Sequence, residues 1–276
     1  MAIALSIFSH WFVLMALVAL TGSLTFAPLF GRGFAPAPAR AVRVRMGLLA
    51  LAGLACVMEA LAGQSLIILA ARLVVLAILF WQERRPTPSP SRWVWAIPLL
   101  LTQSLSSRSA GQVMPLAADF IHLGLAAVWL GGVGQFALVY APLAWRNRAD
   151  PNAIAQLSQL IARFSPVAMF CVLGLGMTGI AQSAAYLPSV DALWMSAFGR
   201  ALAVKLILFG ALVALGAFHQ QVIAPKLRVL RGGSAIAQQH AQTAAAQFAR
   251  SIAIELAASG LLLLAVGAML ALPLPV

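Results

Sequence analysis

The chain has 276 residues, 62% of them hydrophobic and only 9% charged, and its mean hydropathy is +0.96. A soluble domain carries roughly 45–50% apolar and ~25% charged residues, so a water-soluble enzyme is excluded and most of this surface must face lipid. The balance of 18 Lys+Arg against 6 Asp+Glu, net +12, would suggest a polyanion partner in a soluble chain. Here it reads as a membrane-orientation signal, and no nucleic-acid partner is expected. Both cysteines, Cys56 and Cys171, sit in apolar runs, which argues against a disulfide framework.

A spanning helix needs about 20 mostly apolar residues. Eight such stretches occur in chain order, at approximately 4–28, 44–62, 65–82, 93–106, 115–141, 164–186, 196–220 and 248–272. The first lacks a basic leader and an evident cleavage site, so it reads as a retained helix. The fourth is short and interrupted by Pro98. Breaks fall at Gly31-Arg32-Gly33, at Glu83-Arg84-Arg85-Pro86 and at Arg146-Asn147-Arg148-Asp150-Pro151. The expected fold is all-α, a polytopic bundle of about eight transmembrane helices forming one membrane domain over residues 1–276.

Basic residues gather in alternate loops: Arg32, Arg40, Arg43 and Arg45; Arg84, Arg85 and Arg92; Arg146, Arg148 and Arg163; Lys226, Arg228, Arg231 and Arg250. The opposite side holds Arg108 beside Glu59, Asp119 and Asp191. Positive charge stays in the cytoplasm, so both termini are expected on the outer, periplasmic side. The helical pattern from Ser234 runs into the last span, and at ~1.5 Å per residue it outgrows a ~30 Å hydrocarbon core. It reads as an Ala-rich extension with no binding role.

Ionisable residues inside spans are costly and face the bundle interior. Arg72 is expected to neutralise Glu59 or Asp119, Arg200 to snorkel outward, and Lys205 to meet Glu255 across the last two spans. His10 and His122 fall at matching outer depth. Asp119 and His122, three residues apart, share one helical face, as a carboxylate orienting a ligating imidazole or as a local hydrogen bond. Met58, Met114, Met177, Met195 and Met269 also fall near outer span ends. Thioether and imidazole donors suit Cu(I), and carboxylates broaden such a site to Cu(II). The candidate metal set is therefore His10, His122, Asp119, Met58, Glu59, Met114, Met177 and Met269. No zinc-protease or P-loop pattern occurs.

Several segments resemble the copper-resistance D (CopD) membrane family. They are Asp119-Phe-Ile-His122 through Trp129-Leu-Gly131-Gly132, Arg163-Phe164-Ser165 with Thr178-Gly179, Phe198-Gly199-Arg200 through Lys205, and Arg250-Ser251 with Glu255 before Leu272-Pro273. They run in order from about 115 to 275. The resemblance implies an eight-span bacterial inner-membrane protein that works with a periplasmic copper-binding protein of the CopC type and moves copper across or to the membrane. It casts Arg200, Lys205 and Glu255 as framework residues. The chain departs from the family where Ser106-Ser107-Arg108-Ser109-Ala110 carries no histidine, and where His219 replaces the usual Asn.

The leading expectation is thus a non-enzymatic copper handler that binds copper at the periplasmic face. The alternatives are a membrane redox protein holding haem b between His10 and His122, and a scaffold that docks periplasmic copper carriers without a metal of its own.

Overall fold

The computed structural model describes residues 2–31, 39–85, 90–107, 113–228 and 235–275. Arg32, Arg108, Ser109, Ala110 and Arg231 lie outside the described residues. All regular structure within them is helical: α1 Ala2–Phe30, α2 Ala39–Leu61, α3 Leu66–Glu83, α4 Ala96–Leu105, α5 Val113–Gln135, α6 Ala141–Arg146, α7 Pro151–Tyr186, α8 Ala192–Met195, α9 Ala197–Phe218, α10 Ala224–Arg228 and α11 Ala235–Ala271. Two π turns, Phe136–Tyr140 and His219–Ile223, join α5 to α6 and α9 to α10.

Among the described residues, seven helices are long and apolar enough to cross a membrane. The eighth expected span is a six-residue 3-10 turn, Pro90–Trp95, leading into the ten-residue α4. Pro98 sits in the first turn of α4, where its missing N–H costs no intrahelical bond, so the helix begins just before it.

α1 stands between two apolar clusters. On one side Leu17, Leu20 and Leu24 pack with Ala52, Cys56, Leu76, Leu79 and Leu99 of α2, α3 and α4. On the other, Leu14, Val18, Phe26 and Phe30 join Trp129, Phe136, Leu160, Leu212 and Phe248, from the helices that follow. Small residues allow the closest approaches. A Cβ on Gly22 would lie 2.3 Å from Gly131 Cα, and one on Gly132 would lie 2.2 Å from the Phe164 ring. The Gly131-Gly132 pair therefore seats α1 on one face of α5 and an aromatic of α7 on the other.

Buried ions tie down the flank. Arg72 is 1% exposed and pairs with Glu59. Its remaining donors reach Thr102 Oγ1 at 3.2 Å and Gln103 Oε1 at 3.1 Å, so one guanidinium fastens α2, α3 and α4. Of the two partners expected for Arg72, the structure selects Glu59. Arg45, assigned by sequence to a loop, is buried within α2 and bonds Glu83 at 2.9 Å, while Arg92 reaches the same carboxylate oxygen at 3.2 Å. A loop is what charge alone suggests, but a paired arginine is tolerated inside a helix bundle.

The basic end of the bundle is longer than expected. α11 does extend beyond one membrane thickness, and so does α7, whose first turns were read as loop. Ile154, Leu157 and Leu160 of α7 pack there with Ala241, Ala244 and Ala245 of α11. Arg163 donates to Phe30 O at 3.1 Å, and Arg40 bonds Leu138 O, a carbonyl within the first π turn.

Candidate metal site

α5, α7, α9 and α11 enclose a cavity of about 860 Å³. Most of its lining is apolar, including Leu14, Trp129, Phe209 and Leu262. Its polar side chains include Asp119, His122, Gln103, Gln182 and Lys205, and the thioether of Met269 joins them.

Asp119 occupies the second turn of α5, facing the end of α4 where Ser104 and Ser107 stand. One turn further, His122 Nδ1 lies 2.8 Å from Thr178 Oγ1 on α7. A hydroxyl has one proton to give. Thr178 Oγ1 also lies 2.7 Å from Gly174 O on its own helix, and a threonine that donates there accepts from His122. In that arrangement Nδ1 carries the ring proton, and the neutral imidazole keeps its lone pair on Nε2. This is the tautomer and the fixed ring that a metal ligand requires, with a threonine in the orienting role expected of Asp119. The Thr178-Gly179 pair has a matching logic: a Cβ on Gly179 would lie 3.8 Å from the His122 ring, in contact with it.

Lys205 does not pair with Glu255. It lines this cavity, and its charge acts on both Asp119 and His122. Lys205 and Asp119 thus line the same cavity without a direct ion pair, and an arriving cation competes with the lysine for the carboxylate. Phe198-Gly199-Arg200 positions α9 for this. Ser196 caps the helix by accepting from Gly199 N at 2.9 Å, and α8 folds so close that a Cβ on Gly199 would meet Ala192 O at 2.1 Å. Arg200 is exposed and caps the carbonyls of Trp194 and Met195.

The other expected donors disperse. His10 Nδ1 bonds Ser6 O at 2.7 Å on its own helix, and the residue interacts with Glu59 instead of lining the cavity. Glu59 is committed to Arg72. Met58 is half-buried on α2, while Met114 and Met177 are 81% and 74% exposed. Met195, on α8, is also exposed. Among the described residues no three His, Cys, Asp or Glu side chains converge. His10 and His122 thus have separate surroundings, not the facing arrangement that a bis-histidine haem needs.

Sequence reasoning missed the role of Thr178 and the access of Lys205 to the cavity. It also missed a second polar pair, between His219 at the first position of the second π turn and Glu255 on α11, whose nearest atoms stand 3.1 Å apart. The signal available was the Ser251/Glu255 spacing, which puts both on one face of α11.

Comparison with known proteins agrees with the resemblance read from the sequence. Residues 158–269 match the family model of Copper resistance protein D. Over 170 residues the chain is 30% identical to a protein of Bacillus subtilis (strain 168) named copper transport protein CutJ. That alignment covers 58% of this chain and 30% of the relative's length, so the chain spans only part of that protein. No solved structure matches.

Proposed function

From a Copper resistance protein D match carried on an apolar helix bundle, we propose that this multi-pass membrane protein binds copper ions in the cavity between α5, α7, α9 and α11. It then moves them across or into the membrane. The observation that carries the reading is the His122 ring, held by Thr178 with its Nε2 lone pair unspent, in the same cavity as Asp119 and Met269. Imidazole, thioether and carboxylate together make a donor set for copper.

The binding end is the periplasmic one. Supporting this, the residues of the basic loops lie at the opposite ends of the same helices, as the positive-inside rule requires of a bacterial inner-membrane protein with periplasmic termini. A periplasmic copper-binding protein of the CopC type is the proposed donor or acceptor. The protein acts as a carrier and not as an enzyme. A ligand set that is partly countered by Lys205 suits release as well as capture, since conduction needs binding weak enough to leave.

Copper titration of the purified chain in detergent, against a chromophoric Cu(I) competitor, tests this. His122→Gln and Asp119→Asn should each weaken binding by at least tenfold, with His10→Gln unchanged. Equal affinity in all four proteins would sink the proposed site.

A further inference from the structure

We infer that His219 and Glu255 form a second, inner station for the transported cation, in line with the cavity above. This rests on the copper-carrier reading. A smaller cavity, about 110 Å³, is lined by His219, Glu255, Met169 and Trp129. Trp129 lines both cavities, 3% exposed, with its ring against Phe209 at 5.6 Å between centroids. The two spaces therefore share the Trp129 indole as a common wall.

The inner pair repeats the logic of the outer one. His219 Nε2 lies 2.7 Å from Ser251 Oγ, and Ser251 gives its own proton to Gln247 O at 2.9 Å. A serine that donates to Gln247 O accepts from the ring at Nε2, which leaves the Nδ1 lone pair of the neutral imidazole for a ligand. Nδ1 sits 3.1 Å from Glu255 Oε2. The two atoms are not aligned for a hydrogen bond, and Oε2 has no hydrogen-bond partner among the described residues, although Glu255 is 2% exposed.

A buried carboxylate oxygen without an aligned hydrogen bond, 3.1 Å from an imidazole nitrogen, is costly to leave unmatched. A cation held by both groups satisfies them. Each cavity thus offers one imidazole with its tautomer fixed by a hydroxyl, one carboxylate and one thioether: His122, Asp119 and Met269 outside, His219, Glu255 and Met169 inside. Along α9 from Lys205 to His219, and along α11 from Met269 to Glu255, the separation is roughly 20 Å at ~1.5 Å per residue. His219 also begins a π turn, a helix irregularity found mostly where a helix serves a site.

The test counts copper on the full purified chain. Cu(I) is titrated in competition with bicinchoninate into the wild type, His122→Gln, His219→Gln, Glu255→Gln and Ser251→Ala, with each fold checked by thermal melting. The expected result is two copper ions on the wild type and one on His122→Gln, His219→Gln or Glu255→Gln. Ser251→Ala keeps the ring but frees its tautomer, and should weaken the second equivalent by about 10-fold or more; it carries the test if His219→Gln misfolds. One copper on the wild type, lost in His122→Gln and kept in the inner variants, overturns the inner station and leaves the outer one standing. One copper lost only in the inner variants supports this station and overturns the outer reading. Copper binding indifferent to every variant overturns both.

Discussion

His122 Nδ1 and Thr178 Oγ1 stand 2.8 Å apart across the α5–α7 interface, and Thr178 Oγ1 is also 2.7 Å from Gly174 O. With the threonine proton on Gly174 O, the imidazole donates from Nδ1 and presents Nε2 to the cavity. Removing the hydroxyl should leave the ring in place but release its tautomer and rotation. Thr178→Val is expected to lower copper affinity by about 10–100-fold, the usual cost of losing an orienting partner behind a metal ligand. Thr178→Ser should restore most of it. Equal affinity in Val and Ser variants would mean that the hydroxyl does not set the ligand.

Lys205 supplies the opposite effect. Its charge acts on Asp119 and His122, so a bound cation feels a like charge nearby. A like charge lining the same site costs a bound cation on the order of 1–2 kcal/mol in an effective dielectric of ~20, or roughly tenfold in affinity. Lys205→Met should therefore tighten copper binding and slow release. Copper titration and efflux from loaded vesicles check the two halves separately. Weaker binding in Lys205→Met would instead assign the lysine a role in holding Asp119 in place.

Much of the fold was legible because lipid imposes one rule: backbone groups must be satisfied within helices. The hydropathy pattern accordingly located the seven long helices, and the fourth expected span is a short helix with its proline in the first turn. The charge pattern misplaced Arg45, because a periodicity argument cannot see that Glu83 waits on the next helix to pair with it. The site was half legible. Asp119, His122 and Met269 share a cavity, but His10 and His122, matched in depth, differ in the helix face they occupy. Depth along a span can be read from sequence position; azimuth depends on which neighbour each helix packs against. Thr178 and Ser251 were invisible as ligand-orienting groups because their role depends on where their own protons go.

The Glu59–Arg72 pair is expected to be structural. It is buried and fastens three helices, and neither Glu59 nor Arg72 lines the proposed copper cavity, which Arg72 meets only through Gln103. Glu59→Gln leaves a buried guanidinium short of its counter-ion, which typically costs about 3–5 kcal/mol. The variant should melt at a markedly lower temperature while the surviving folded protein binds copper with wild-type affinity. A loss of affinity without a loss of melting temperature would return Glu59 to the ligand set.

Trp129 is where the two cavities meet, so its size should set the rate of movement between them. Its indole is packed edge-on against Phe209 and is 3% exposed. Truncation to alanine costs stability, since Trp→Ala in a packed interior loses about 3–5 kcal/mol, and Trp129→Leu is the gentler substitution. Both should merge the upper and lower spaces. In vesicles loaded with a Cu(I)-sensitive dye, the initial rate of copper entry should rise several-fold for Trp129→Leu and further for Trp129→Ala, with copper stoichiometry unchanged. Trp129→Phe, which keeps an aromatic ring in the same place, should stay near the wild-type rate. Rates that do not follow side-chain size would place the barrier elsewhere along α9 or α11 and leave Trp129 a packing residue.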